Sequence, residues 1–167
     1  MTPEYSHSLH AHEIGTAPRT VTLGASVAER AALAKRFDLI DLAALEATLT
    51  ARAVAGGVRV TGQFVARGAQ ACGLSGAPVA FALDEAVDLR FTAVIGVAAD
   101  EIELTDADLD TLPMDGDSID LGEAVAQSLG LALDPYPRAD GATLPDVVPE
   151  DQVVPLRRPN PFGVLKA

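Results

Sequence analysis

The chain has 167 residues, a formal net charge of −12 at pH 7, and an apolar fraction of 49% that Ala and Val largely supply. That length fits one domain with a real core. With no Trp, five Phe and two Tyr, the core is expected to be thin and sheet-based.

Residues 1–25 read as an extended arm with strand potential around Thr20–Leu23. A helix follows: Ser26 and Glu29 form a capping-box signature, and good helix formers continue to Phe37. At about 100° per residue, Val27, Ala31, Leu33, Ala34 and Phe37 share one face. Arg30 falls inside that stripe. A guanidinium there is expected either to snorkel out along its aliphatic stem or, the favoured outcome, to meet a carboxylate or several backbone carbonyls, with the partner drawn from the acidic second half of the chain.

Three alternating segments come next. In Leu45–Val54, Leu45, Ala47, Leu49 and Ala51 face one side. Ala55-Gly56-Gly57 supplies a turn, and Val58, Val60, Gly62, Phe64 and Ala66 alternate after it. After the break at Gly73–Pro78, the odd positions Val79, Phe81, Leu83, Val87, Leu89 and Phe91 keep period two, with Asp84-Glu85 as a place for a bulge. These segments predict an antiparallel meander. Asp100–Asp117 reads as an acidic, solvated excursion with a short strand at Glu101–Leu104. A second helix is expected from Asp120, where Asp120 and Glu123 repeat the cap-and-N3 pattern, with Leu121, Ala124, Val125, Leu129, Leu131 and Ala132 on one face. Asp134-Pro135 ends it. The expected architecture is α+β: an antiparallel β-sheet meander packed by two amphipathic helices over residues 1–138. A disordered acidic linker is expected over 139–157, and a proline-rich terminal motif over 158–167.

Function classes narrow from here. One cysteine, Cys72, excludes an internal disulfide and fits a reducing compartment. The N-terminus has no charged segment leading into an apolar run, and no apolar stretch approaches the roughly 18–20 residues that span a bilayer. A cytoplasmic location and no membrane partner are expected. Two or three of the imidazoles of His7, His10 and His12 could ligate zinc, but their spacing matches no closed four-ligand pattern and the segment reads as a solvated arm or edge strand, so no metal and no cofactor are assigned. Cys72 lacks a histidine partner outside the arm and reads as a packed strand-end residue. Glycines 73 and 76 make no phosphate loop. No constellation indicates an enzyme or a small-molecule substrate.

Charge is uneven. Asp84–Asp120 holds twelve acids and one base, whereas Arg19–Arg67 holds seven bases and four acids. Lys35, Arg36, Arg52, Arg59 and Arg67 are candidate contacts for a phosphate backbone or a partner if they share a surface. Ordinary solvated charges fit the same residues, and no interleaved aromatics support base stacking.

Several segments, in order, resemble the alphaproteobacterial branch of the YceD family of large ribosomal RNA subunit accumulation proteins. They are Ser26–Phe37, Gly62–Pro78 with Gln70, Cys72 and Pro78, Ile119–Glu123 with Asp120, Leu121 and Glu123, Leu131–Arg138 with Pro135, Pro137 and Arg138, and Arg158, Pro159, Asn160, Pro161 and Phe162. The resemblance implies a non-catalytic factor for large-subunit ribosomal RNA accumulation. Its partner would be ribosomal RNA or a large ribosomal subunit precursor. A protein-only adaptor that recruits a basic ribosomal protein or processing factor through its acidic surface is the alternative. The C-terminal cysteines of other branches are absent here, so no zinc-dependent role carries over from them.

Overall fold

A computed structural model of the chain describes residues 3–93 and 111–143. The fold is α+β, as the alternation and the two capping patterns predict. Its elements in order are β1 (Ser8–His10), a 3-10 turn (Ala11–Glu13), β2 (Arg19–Gly24), α1 (Val27–Arg36), β3 (Leu39–Val54) and β4 (Gly57–Ala71). After these come β5 (Pro78–Thr92), β6 (Thr111–Pro113), β7 (Ser118–Asp120) and α2 (Leu121–Ala132).

Strands β2 to β5 form the antiparallel meander, in the order β2-β3-β4-β5-β6, and β6 adds a short parallel edge. The β3–β4 hairpin closes on the two-residue turn Ala55-Gly56, where Gly56 takes φ +80°, a conformation that costs little without a Cβ. Period-two alternation then sets the faces. Leu45, Ala47, Leu49, Ala51, Val58, Val60, Phe64, Ala66, Val87 and Phe91 are buried on one side. Val79, Phe81, Leu83 and Leu89 are half-buried in the same rows. The β4–β5 ladder runs unbroken from Gly57–Thr92 to Ala71–Pro78, so no bulge occurs at Asp84-Glu85. Within the buried rows, Gly62 lies where a Cβ would come 2.1 Å from the Thr48 carbonyl oxygen, which lets β4 approach β3 closely.

Both helices pack into the core on that inner face. Ser26 caps α1 with both halves of the capping box formed. The stripe of α1 is centred on Leu33, flanked by Arg30, Ala34 and Phe37, while Val27 and Ala31 are exposed. The sequence reading placed those two in the stripe; the helix is rotated away from them by the burial of Leu33. Arg30 is half-buried and donates from Nη1 to the Ala25 carbonyl at 2.6 Å. Its partner is therefore a carbonyl just before its own helix, not a carboxylate of the acidic half. Asp38, at φ +52°, supplies the left-handed residue that ends α1.

Helix α2 starts as read, with the Asp120 carboxylate accepting from the Glu123 N–H. Its buried arc takes in Leu121, Gly122, Ala124, Val125, Ala126 and Leu129, because the N-terminal arm covers its first turn. Leu131 falls off that arc and is 89% exposed. Strands β1 and β7 form a separate two-stranded sheet, which ties the arm to the start of α2.

Ala139 and Ala142 make hydrogen bonds, so the described fold runs a few residues into the segment read as linker. Residues 144–157, the terminal motif 158–167 and the strand expected at Glu101–Leu104 lie outside the described residues. No helix among the described residues is long and apolar enough to cross a membrane.

Candidate functional site

The outer face of the meander carries the cationic residues that the structure brings together. The Ala55-Gly56 turn sets Arg52 opposite Arg59, and the β4–β5 ladder sets Arg59 opposite Arg90. Three guanidinium groups thus form one row across three strands. Like charges directly opposite each other repel, and the structure relieves this in two ways. Arg59 forms a two-pronged pair with the diagonal Asp88, Nε–Oδ1 at 2.9 Å and Nη2–Oδ2 at 2.6 Å. That pairing raises the Arg59 pKa and lowers that of Asp88. Arg90 donates from Nη2 to the Ala55 carbonyl at 2.7 Å. Arg52 has no hydrogen bond or ion pair among the described residues.

Beside the row lies a cleft of about 190 Å³ lined by Pro18, Thr50, Arg52, Arg59 and Thr61. Thr50 and Thr61 are cross-strand neighbours, and the Thr50 hydroxyl lies 3.1 Å from that of Thr20. A guanidinium with two hydroxyls on a sheet is a suitable donor set for an oxyanion such as a phosphodiester.

The other candidates lie elsewhere. Arg67 stands eight residues along β4 from Arg59, about 26 Å at the usual rise of a strand. Lys35 and Arg36 belong to α1 on the opposite face, so the five residues do not share one surface. Arg36 is closed off by Glu123 (2.8 Å from Nη1 to Oε2 and from Nη2 to Oε1) and by Glu4 at 3.1 Å, and it stacks over Phe37. Arg90, Asp88 and the threonines were not foreseen. The Arg52–Arg59 pairing was readable, since both residues lie three positions from the turn, but Arg90 joins through the longer Cys72–Ala77 connection, whose register no local pattern states.

Of the residues that carry the YceD-like resemblance, several of those described are tied to other parts of the chain. The Gln70 side chain donates to the Asp134 carbonyl at 2.9 Å, the Gly73 N–H to the Pro137 carbonyl at 2.9 Å, and the Ala139 N–H to Cys72 Sγ at 3.3 Å. The segment Asp134–Ala139, with Pro135, Pro137 and Arg138, is thereby laced onto the β4–β5 connection. The buried Cys72 thiol is lowered to about 6, chiefly by the Ser75 hydroxyl and then by the backbone N–H groups of Ala139, Ser75 and Leu74, against the opposing effect of burial. Asp120 caps α2, Leu121 is fully buried, and Glu123 holds Arg36. An open cleft of about 390 Å³ lies beside this lacing, lined in part by Phe37, Gln70, Leu133 and Pro135. Arg158, Pro159, Asn160, Pro161 and Phe162 lie outside the described residues. Of the three histidines, the structure places His10 and His12 beside Asp117 and leaves His7 out of that group.

No protein-family model, curated protein or solved structure matches this chain.

Proposed function

We propose that this protein is a non-catalytic, cytoplasmic factor of large-subunit ribosome biogenesis that binds ribosomal RNA or an assembling large-subunit particle. The ordered set of YceD-like motifs supports the biological setting. The observation that carries RNA contact is the Arg52–Arg59–Arg90 row, with Arg52 unpaired among the described residues, beside the Thr50–Thr61 cleft. Such a row contacts the phosphate backbone and reads shape, not sequence.

The test is binding of the full chain to large-subunit ribosomal RNA fragments over a salt series. Arg52→Ala is expected to weaken binding and to reduce the log–log salt slope by about 1, the loss of one phosphate contact. Arg52→Glu is expected to weaken binding further. Equal affinity and slope in the parent and both variants would remove the RNA reading. The adaptor reading draws on the exposed Leu131 and Tyr136, which flank the motif lacing as apolar side chains facing solvent. Capture of the same partners by Arg52→Glu, with loss of those partners on Tyr136→Ser, favours the adaptor.

A further inference from the structure

We propose that His10, His12 and Asp117 form a binding site for a divalent metal ion of the zinc type. His10 ends β1, His12 sits in the 3-10 turn after it, and Asp117 immediately precedes β7. The arm alone offers three imidazoles, His7, His10 and His12, at a spacing that closes no four-ligand pattern. The fold adds the third donor from more than 100 positions away. His10 pairs in register with Ser118, and the Ala11 N–H donates to the Asp117 carbonyl at 2.8 Å, so the backbones on both sides of the site are tied.

One donor atom from each of the three side chains lies within 4.8 Å of the others. A zinc ion with ligands at about 2.0–2.1 Å sets tetrahedral ligand atoms roughly 3.3 Å apart. All three side chains are exposed, so rotation about their own bonds can bring the donor atoms to that spacing, drawing His10 in and parting the His12–Asp117 pair slightly, without disturbing the core. The imidazoles already stack, with centroids 5.4 Å apart and planes at 25°. His12 Nδ1 lies 2.6 Å from Asp117 Oδ2, a hydrogen bond that holds the two side chains near their ligating positions. A metal ion takes the place of the proton between them, and that proton passes to solvent.

Two nitrogens and one carboxylate favour zinc and its neighbours in the first transition row over calcium or magnesium, which take oxygen donors. Three protein ligands leave a further position for water. An ordinary exposed His–Asp pair accounts for the 2.6 Å contact alone. It does not account for His10 at the same point.

The experiment uses the untagged full chain, stripped with chelator and titrated with Zn²⁺ by calorimetry and with Co²⁺ by visible absorption. Saturation near one equivalent is expected. His10→Asn, His12→Asn and Asp117→Asn should each weaken Zn²⁺ binding at least about tenfold, since even residues that merely support ligands cost that much. His7→Asn should bind like the parent. Circular dichroism confirms that each variant is folded. Ring resonances of His10 and His12 in the parent should shift on adding Zn²⁺, a readout that needs no variant. No saturable uptake by the parent, unchanged affinity in His12→Asn, or shifts confined to His7 would each overturn the site.

Discussion

Gly122→Ala tests how the N-terminal arm is held. Gly122 is the second residue of α2, and a Cβ there would lie 2.8 Å from the Tyr5 carbonyl oxygen and 2.9 Å from both the His7 nitrogen and the Ser6 Cα. All three neighbours are backbone, so none can rotate aside. The arm is also pinned: the His7 N–H donates to Asp120 Oδ1 at 2.8 Å, the Leu121 N–H to the His7 carbonyl at 3.0 Å, and Ser6 Oγ to Asp120 Oδ2 at 2.5 Å. Relieving the clash means lifting the arm and stretching bonds worth about 1 kcal/mol each. Overpacking of this kind costs about 1–3 kcal/mol. Helix propensity acts the other way, by about 1 kcal/mol at a helix interior and less at its start. The net expectation is a loss of about 1–2 kcal/mol, or roughly 3–10 °C in Tm for a fold of this size. Thermal melts followed by circular dichroism measure the loss, and amide exchange at His7 and Leu121 locates it. Gly130→Ala is the contrast, because its Cβ would meet the outer edge of the Phe37 ring at 2.8 Å, and a ring can swing. That variant is expected within about 1 kcal/mol of the parent. If Gly122→Ala melts at or above the parent, or is destabilised without faster exchange at His7 and Leu121, the account of the arm is wrong.

Two further outcomes follow from buried and paired groups. The Arg36 guanidinium holds the Glu123 carboxyl below the usual carboxylate range. A depressed folded-state pKa contributes stability that is present above the unfolded value, near 4.3, and is lost as pH falls through the folded value. Denaturant melts should therefore show Glu123→Gln about 1 kcal/mol less stable at pH 7, with the gap closing on acidification toward pH 3; a gap independent of pH refutes the pairing. The buried Tyr5 hydroxyl has no hydrogen-bond partner among the described residues, and burial, with Glu29 and Asp120 nearby, raises it to about 12. Tyr5→Phe is expected to hold or raise stability by up to about 1 kcal/mol, and a loss larger than that reveals a partner for the hydroxyl.

What the sequence made legible divides along physical lines. The long strands announced themselves because side-chain alternation over thirteen residues has no other simple reading, and both helix starts were written in Ser26–Glu29 and Asp120–Glu123. The beginning of β3 was not legible. Register shifts between Leu39 and Asp41 and between Leu42 and Ala44 break the period that a reader relies on. Strand β6 was hidden because three residues inside an acidic stretch carry no period, and its pairing to β5 is set by the sheet and not by its own composition. Of the His10–His12–Asp117 group the two imidazoles were legible, but the third member was not, since it arrives through β1–β7 pairing, a contact between the two ends of the fold. Cys72, Asp120 and Glu123, read from the sequence as a packed strand-end residue and a helix cap with its N3 partner, bind other parts of the chain, as Gln70 does.

The net charge of −12 therefore says little about the outer face of the sheet. At physiological ionic strength the Debye length is about 8 Å. Cross-strand neighbours stand about 5 Å apart, so Arg52, Arg59 and Arg90 act on a bound anion together. Arg67, about 26 Å along β4, does not join them. Among the described residues Asp88 pairs with the row, its carboxylate committed to Arg59 through both oxygens. Replacing Asp88 with Asn would free Arg59 while removing one negative charge, raising the local positive field by a full unit without touching Arg52. If the row is a phosphate contact, Asp88→Asn should tighten RNA binding and steepen its salt dependence by up to about one phosphate's worth, the opposite sign to Arg52→Ala. The two variants moving affinity in the same direction would mean that the Arg59–Asp88 pair shapes the surface and that the arginines are not a phosphate site.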